Sequence, residues 1–202
     1  MALRPDIATP HGRIAIVELA DDAAVAEALA KLPEAERERA AAQSPTKRGE
    51  FVAGRTALHE LVGDVAIEIS DRGAPLAAGW TCSVAHKSRG EAVRAVALAA
   101  PASDGFVGVD LEHARPPRID ISARILAPGE PRPSGAELLR VFAVKEAIYK
   151  AVDPIVQRYV RFSEVAIAGD GRVTSELPAE IDVWSTLCDG DWLATARARS
   201  HK

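Results

Sequence analysis

Two short segments of this 202-residue chain set acids and amines at spacings that can do chemistry. The first is Gly108-Val109-Asp110-Leu111-Glu112. Written as a strand, it turns Val107, Val109 and Leu111 to one face and Asp110 and Glu112 to the other. Two carboxylates on one face at a strand end are half of a site for a hard cation, which takes oxygen ligands. The same pattern also describes an ordinary solvent-facing strand edge, the commoner outcome for so short a motif.

The second segment is Val144-Lys145-Glu146-Ala147-Ile148-Tyr149-Lys150. On a helix, Glu146 and Lys150 share one face, with Phe142 a turn earlier, and Lys145 projects about 100° round the axis from Glu146. One account is a solvated Glu–Lys pair that adds a few tenths of a kcal/mol to the helix. The other is a carboxylate that binds metal or takes a proton, beside ammonium groups that neutralise phosphate.

The elements that would position these residues follow from periodicity and turn chemistry. Alternation predicts a strand over 13–19. Asp21 and Asp22 are cap residues for a helix through Leu32, and Pro33 opens a charged helical stretch over 34–43. A third helix is expected over 46–61, ending at Gly63, with Phe51, Leu58, Leu61 and Val62 on one apolar stripe. Strands are expected over 65–69, 81–85, 92–98 and 106–112. A proline- and arginine-rich loop spans 113–118, and helical pattern resumes over 119–126. Ser134, with Glu137 completing a capping box, is expected to start a helix running to Val152. The tail alternates over 164–168, 173–176, 181–187 and 192–198 around Asp-Gly turns, the pattern of an antiparallel sheet. Helices followed by strands occur twice, so the expected class is α+β, divided as 1–103 and 104–202.

Composition narrows the function classes. Charged residues make up 27% and hydrophobic residues 48%, an ordinary globular balance. A net charge of −4 argues against bulk nucleic-acid binding while leaving room for a local basic patch. Cys82 and Cys188 have no metal-like spacing and read as reduced thiols, and no signal peptide or membrane-spanning run is visible. A cytoplasmic, monomeric protein is expected.

Taken together, the acidic strand and the Lys-Glu helix resemble the 4'-phosphopantetheinyl transferase superfamily. That family's pattern is an acidic (V/I)G(V/I)D(V/L/I)E strand followed a few dozen residues later by W-x-x-K-E-A-x-x-K. The strand matches fully, and the helix matches with Phe142 in place of tryptophan. The larger, single-chain surfactin/enterobactin type is the better likeness, because further segments match along nearly the whole chain. Lys47-Arg48-Gly49-Glu50-Phe51 and Gly54-Arg55 resemble its N-terminal basic helix. Ser83-Val84-Ala85-His86-Lys87 resembles its S-(I/V)-(S/T)-H-(S/T/K) segment, with Ala85 where a hydroxyl is usual. Asp71-Arg72-Gly73-Ala74-Pro75 resembles its G-(K/R)-P turn, with Ala74 where a basic residue is common.

The resemblance implies the fold of that family, two similar α+β halves related by pseudo-two-fold symmetry. It implies transfer of the phosphopantetheine arm of coenzyme A to a serine of an apo carrier protein, releasing 3',5'-ADP. Mg²⁺, with Mn²⁺ as an alternative, would be held by Asp110, Glu112 and Glu146. CoA would be bound by Arg48, Arg55, Arg72, His86, Lys87, Lys145 and Lys150. Glu146 would act as the base for the serine hydroxyl, directly or through a water, Lys150 as the acid, and His86 would help stabilise phosphate charge. The basic segment 113–132, with Arg115, Arg118, Arg124 and Arg132, would receive an acidic acyl or peptidyl carrier protein, and neither nucleic acid nor membrane is an expected partner. Two other functions fit less of the sequence: a CoA- or carrier-binding relative without transfer, and a Mg²⁺-dependent nucleotide hydrolase.

Overall fold

The computed structural model describes residues 2–201, with residues 4–7 and 89 described by their backbone alone. The chain forms two compact units that divide between Ala99 and Ala100.

The first unit runs β1 (Ala2–Thr9), β2 (Gly12–Leu19), α1 (Asp22–Lys31), α2 (Glu34–Ala41), α3 (Pro45–Val62), β3 (Ile67–Ile69), β4 (Pro75–Ala77), β5 (Trp80–Arg89) and β6 (Ala92–Pro101). Its strands form one sheet in the order β1-β2-β6-β5-β4-β3. Alternation puts Ala15, Val17 and Leu19 of β2 and Val93, Ala95 and Ala97 of β6 into one core with Val52, Ala53, Ala57, Leu58 and Leu61 of α3. Small residues let the helix lie close to the sheet. A Cβ added at Gly54 would come within 2.9 Å of Val84 Cγ1.

The caps follow their chemistry. The Asp21 carboxylate accepts the Ala24 N–H at 2.8 Å, Pro45 opens α3, and Gly63 at φ +69° ends it. Strand β1 was not expected. It is an edge strand, where Pro5 removes no interior ladder bond, and its apolar pattern is weak on its own.

The second unit runs β7 (Phe106–His113), α4 (Ser122–Ile125), α5 (Glu137–Val156), β8 (Val165–Ile167), β9 (Val173–Ser175), β10 (Ala179–Cys188) and β11 (Asp191–Ser200). Strand β11 lies between β10 and β7, antiparallel to both, and β8 pairs with β9 in a separate two-stranded sheet. The tail therefore makes two sheets, not one. Helix α5 buries Ala143, Ala147, Ile148 and Ala151 against Ala194, Ala196 and Ala198 of β11. Asp189 and Gly190, both at positive φ, make the two-residue turn joining β10 to β11.

Three sequence expectations are corrected in this unit. Helical pattern over 119–126 yields only the single turn of α4, which starts after the Asp120 carboxylate accepts the Ser122 N–H at 2.8 Å. Helix α5 starts at Glu137 with no side-chain cap, because Gly135 at φ +59° turns the chain between Ser134 and the helix. Glu137 instead takes the Arg140 Nε at 2.6 Å. At its far end α5 continues through Pro154 to Val156. The missing proline N–H falls in the last turn, and Ile155 and Val156 still pack on the core. Among the described residues, no helix is long and apolar enough to cross a membrane.

Candidate active site

The register of β7 decides what its acids face. Asp110 stands opposite Ala194 and Gly108 opposite Ala196, and both alanines belong to the core beneath α5. Residues paired across an antiparallel ladder share a face, so Asp110, and Glu112 two residues on, lie on the side of β7 that α5 covers. Val107, Val109 and Leu111 are buried on the other side. Both faces of this strand are therefore buried over 107–111.

Gly108 explains how closely helix and strand approach. A Cβ there would fall 1.9 Å from the Ala147 carbonyl oxygen and 2.8 Å from the Ala151 nitrogen. Only a residue without a side chain lets β7 press against the backbone of α5. That contact lies between the turn carrying Glu146 and Lys150 and the strand carrying Asp110.

Lys150 crosses the gap. Its ammonium donates to Asp110 Oδ1 and to the Val109 carbonyl, each at 2.8 Å. The exposed Glu–Lys pair is therefore not the use this lysine has. Asp110 is 7% exposed, and its second oxygen, Oδ2, is buried with no hydrogen-bond partner. A buried carboxylate oxygen left bare is costly, and a bound cation is one way to satisfy it. Asp110 thus fits a hard-cation ligand. Glu112 and Glu146 are half-buried, and among the described residues no three His, Cys, Asp or Glu side chains are gathered closely enough to hold a metal.

Lys145 lies elsewhere. Its ammonium is enclosed by Glu130 Oε2 at 2.6 Å and the carbonyls of Ile125, Val165 and Phe162 at 2.7, 2.8 and 3.1 Å. Burial lowers its pKa, and Glu130 works in the opposite direction. Four acceptors already surround the three hydrogens of Lys145, so its ammonium is engaged within the fold. Phe142, in the position where the family has tryptophan, packs its ring 5.7 Å from that of Phe162.

In the first unit, a cavity of about 260 Å³ is lined by Lys47, Glu50, Phe51, Gly54 and His86, among others. His86 is partly exposed, with its Nδ1 3.4 Å from Glu50 Oε1, and Glu50 also takes the Lys47 ammonium at 2.8 Å. Lys87 is half-buried on the same strand, and Arg72 is exposed in the turn before β4. Ala85 is buried and, by alternation, lies on the sheet face opposite Val84 and His86, away from that cavity.

The two helix arginines have local partners. Arg48 donates to the carbonyls of Ala40 and Gln43 at the end of α2. Arg55 is 5% exposed and donates to Glu36, to the Ile67 carbonyl at 2.8 Å and to the Glu68 carbonyl, with its guanidinium over the Phe51 ring. Its fork is directed into the fold, and Arg55 also lines the cavity beside Phe51 and His86. Glu36 also holds His59 Nε2 at 3.0 Å, and that contact raises the His59 pKa.

The segment after β7 is strongly basic at its surface. Arg115, Arg118 and Arg124 are exposed and pair with no carboxylate among the described residues, whereas Arg132 pairs with Asp120. Ile119 on the same segment is 73% exposed. A cavity of about 320 Å³ lies beside it, lined by Pro116, Pro117, Arg132, Pro133 and Leu138 among others.

Three residues of interest were not singled out from sequence. Glu130 lies in a Pro/Gly-rich break, where a buried acid is unexpected. Glu50 was readable only as an i,i+3 partner of Lys47. His113, next to Glu112, has its Nδ1 2.9 Å from the fully buried Asp191, a contact made across 78 residues by the β7–β11 register.

Residues 106–195 match the model of the 4'-phosphopantetheinyl transferase superfamily. The match contains β7, α5 and all the acids and amines of the β7–α5 contact. No curated protein matches the chain.

Proposed function

From residues 106–195 being a 4'-phosphopantetheinyl transferase superfamily domain, which implies transfer to carrier proteins, we propose that this protein moves phosphopantetheine from CoA to a carrier-protein serine. The observation that carries the reading is the state of Asp110: buried, bonded to Lys150 through one oxygen and bare at the other.

Asp110, through its bare oxygen, with Glu112 and Glu146, which are not gathered into one cluster with it among the described residues, are the proposed ligands that would close on a Mg²⁺ ion. When bound, the ion supplies positive charge to the CoA pyrophosphate and lowers the cost of charge developing there. Glu146 takes the proton from the serine hydroxyl. The serine oxygen forms its bond to the β-phosphorus of CoA as the pyrophosphate P–O bond breaks, and 3',5'-ADP leaves. Lys150, held beside Asp110 and the Val109 carbonyl, is the proposed acid and source of positive charge for the leaving phosphate. Lys145 and Arg55 are left out of the phosphate contacts for the reasons above.

The cavity of the first unit is the proposed seat of the 3'-phosphate end of CoA, with Lys47 and His86 in its lining, Arg72 in the adjoining turn and Arg48 bracing the helix start; Lys87, on the strand face of Ala85, is proposed to reach CoA outside it. The larger, single-chain type is the reading adopted, because a complete helix-on-sheet unit precedes the matched domain. The exposed arginines of 113–132 form the proposed docking segment for an acidic carrier, by charge complementarity.

The test is to incubate the protein with CoA, Mg²⁺ and an unmodified carrier and weigh the carrier. A phosphopantetheine mass gain supports transfer. An unchanged carrier with CoA bound indicates a binder, and phosphate release without carrier indicates a hydrolase.

A further inference from the structure

The buried Lys145–Glu130 pair has no part in the chemistry proposed above, and its partners point to a different task. The side chains are 1% and 2% exposed. Lys145 gathers oxygens from three stretches of chain: Ile125 at the end of α4, Glu130 in the following loop, and Phe162 and Val165 at the entry to β8. Glu130 is equally engaged, taking the Ala127 N–H at 2.7 Å through Oε2 and the Ile167 N–H at 3.2 Å through Oε1. One ion pair thus ties the end of the basic segment to α5, one residue before Glu146. With Lys145 directed inward, Glu146 projects about 100° away round the helix.

We propose that Lys145 is a positioning residue that, with Glu130, fixes the segment ending at 130 on α5, so that a carrier docked there presents its serine to Glu146. This rests on the transferase reading and on the docking segment assigned in it. A buried charge pair with every ammonium hydrogen and both carboxylate oxygens engaged suits that use, because it holds one geometry and tolerates no slippage.

The experiment compares full-length wild type with Glu130→Gln, Lys145→Met and the double variant. Three quantities are measured: the Kd for CoA without carrier, kcat/KM for carrier at saturating CoA, and hydrogen exchange of the 119–130 amides. Glu130→Gln keeps the shape of the side chain and serves if Lys145→Met does not fold. The expected result is a loss of about 10- to 100-fold in kcat/KM for carrier. The Kd for CoA stays within about twofold, exchange over 119–130 rises, and the double variant matches either single one because the two residues act as one unit. A general structural loss would weaken CoA binding and carrier turnover together.

A Kd for CoA raised about tenfold by Lys145→Met alone would make Lys145 a phosphate ligand and overturn the proposal. Wild-type carrier turnover and wild-type exchange in Glu130→Gln would overturn it as well. If the wild type moves no phosphopantetheine, the transferase reading fails. In that event raised exchange in Glu130→Gln still supports the latch, and unchanged exchange removes it.

Discussion

Lys150 Nζ lies 2.8 Å from Asp110 Oδ1, and the other oxygen of the same carboxylate is buried without a partner. The two residues are 40 positions apart in the chain, and a single strand-to-helix contact brings them together. That contact is close enough to need Gly108, and it sets acid and amine side by side with one carboxylate oxygen left bare.

Asp110→Asn keeps the shape of the side chain and removes its charge. Transfer is expected to fall at least about 100-fold, judged by carrier mass, because both the proposed cation ligand and the partner of Lys150 are altered. In wild type, Mg²⁺ should raise the melting temperature and a chelator should reverse the rise, while Asp110→Asn should show no response. A variant that keeps full transfer and the Mg²⁺ response refutes the assignment of Asp110.

Gly108→Ala tests the approach of strand and helix. The added Cβ meets the Ala147 carbonyl at 1.9 Å, so β7 must move off α5. A loss of about 1–3 kcal/mol is expected from overpacking, read as a lower denaturation midpoint. Transfer should be depressed even where the variant is fully folded, since Asp110 moves with the strand. Normal kinetics in a folded variant would show that the contact does not set the site.

Charge reversal at Arg118 or Arg124 addresses the proposed docking segment. Both side chains are exposed and without a carboxylate partner among the described residues, so folding should be untouched. The kcat/KM for an acidic carrier should fall and lose part of its salt dependence, while the KM for CoA holds. Equal turnover with and without the reversal would return that arginine to the solvated surface.

His59 gives the first unit a pH-dependent contribution. Its pKa is raised, chiefly by the hydrogen bond to Glu36 and further by the Gly63 carbonyl, against burial and the nearby Arg55 charge. A raised pKa means the folded state binds the proton more tightly. The stabilisation is complete below the ordinary value of 6.5 and is lost as pH rises through the raised one. His59→Gln should therefore lower the melting temperature more at pH 5.5 than at pH 8.5, roughly flattening the curve between them. An identical pH profile in the variant would remove His59 as its source.

Cys82 is buried beneath α3, and burial pushes its thiol up to about 11. In the native protein it should react with thiol reagents only on unfolding, whereas the half-buried Cys188 should react first. A count of modified thiols with and without denaturant checks this, and two fast thiols in the native state would contradict the packing.

Local chemistry made much of this legible from sequence. Alternation in 106–112 assigned the two faces of β7, and the i,i+4 spacing put Glu146 and Lys150 on one side of α5. Asp21 and Gly63 marked helix ends because caps act through neighbours in the chain. The motifs pointed to the superfamily that residues 106–195 match. What sequence could not decide was which partner each charge takes, because burial and pairing depend on residues distant in the chain. Lys145 and Arg55 read as free cations and are enclosed by Glu130, Glu36 and backbone carbonyls. Asp110 read as one of two equivalent acids, and only the β7–β11 register and the close approach at Gly108 place it beneath α5, against Lys150.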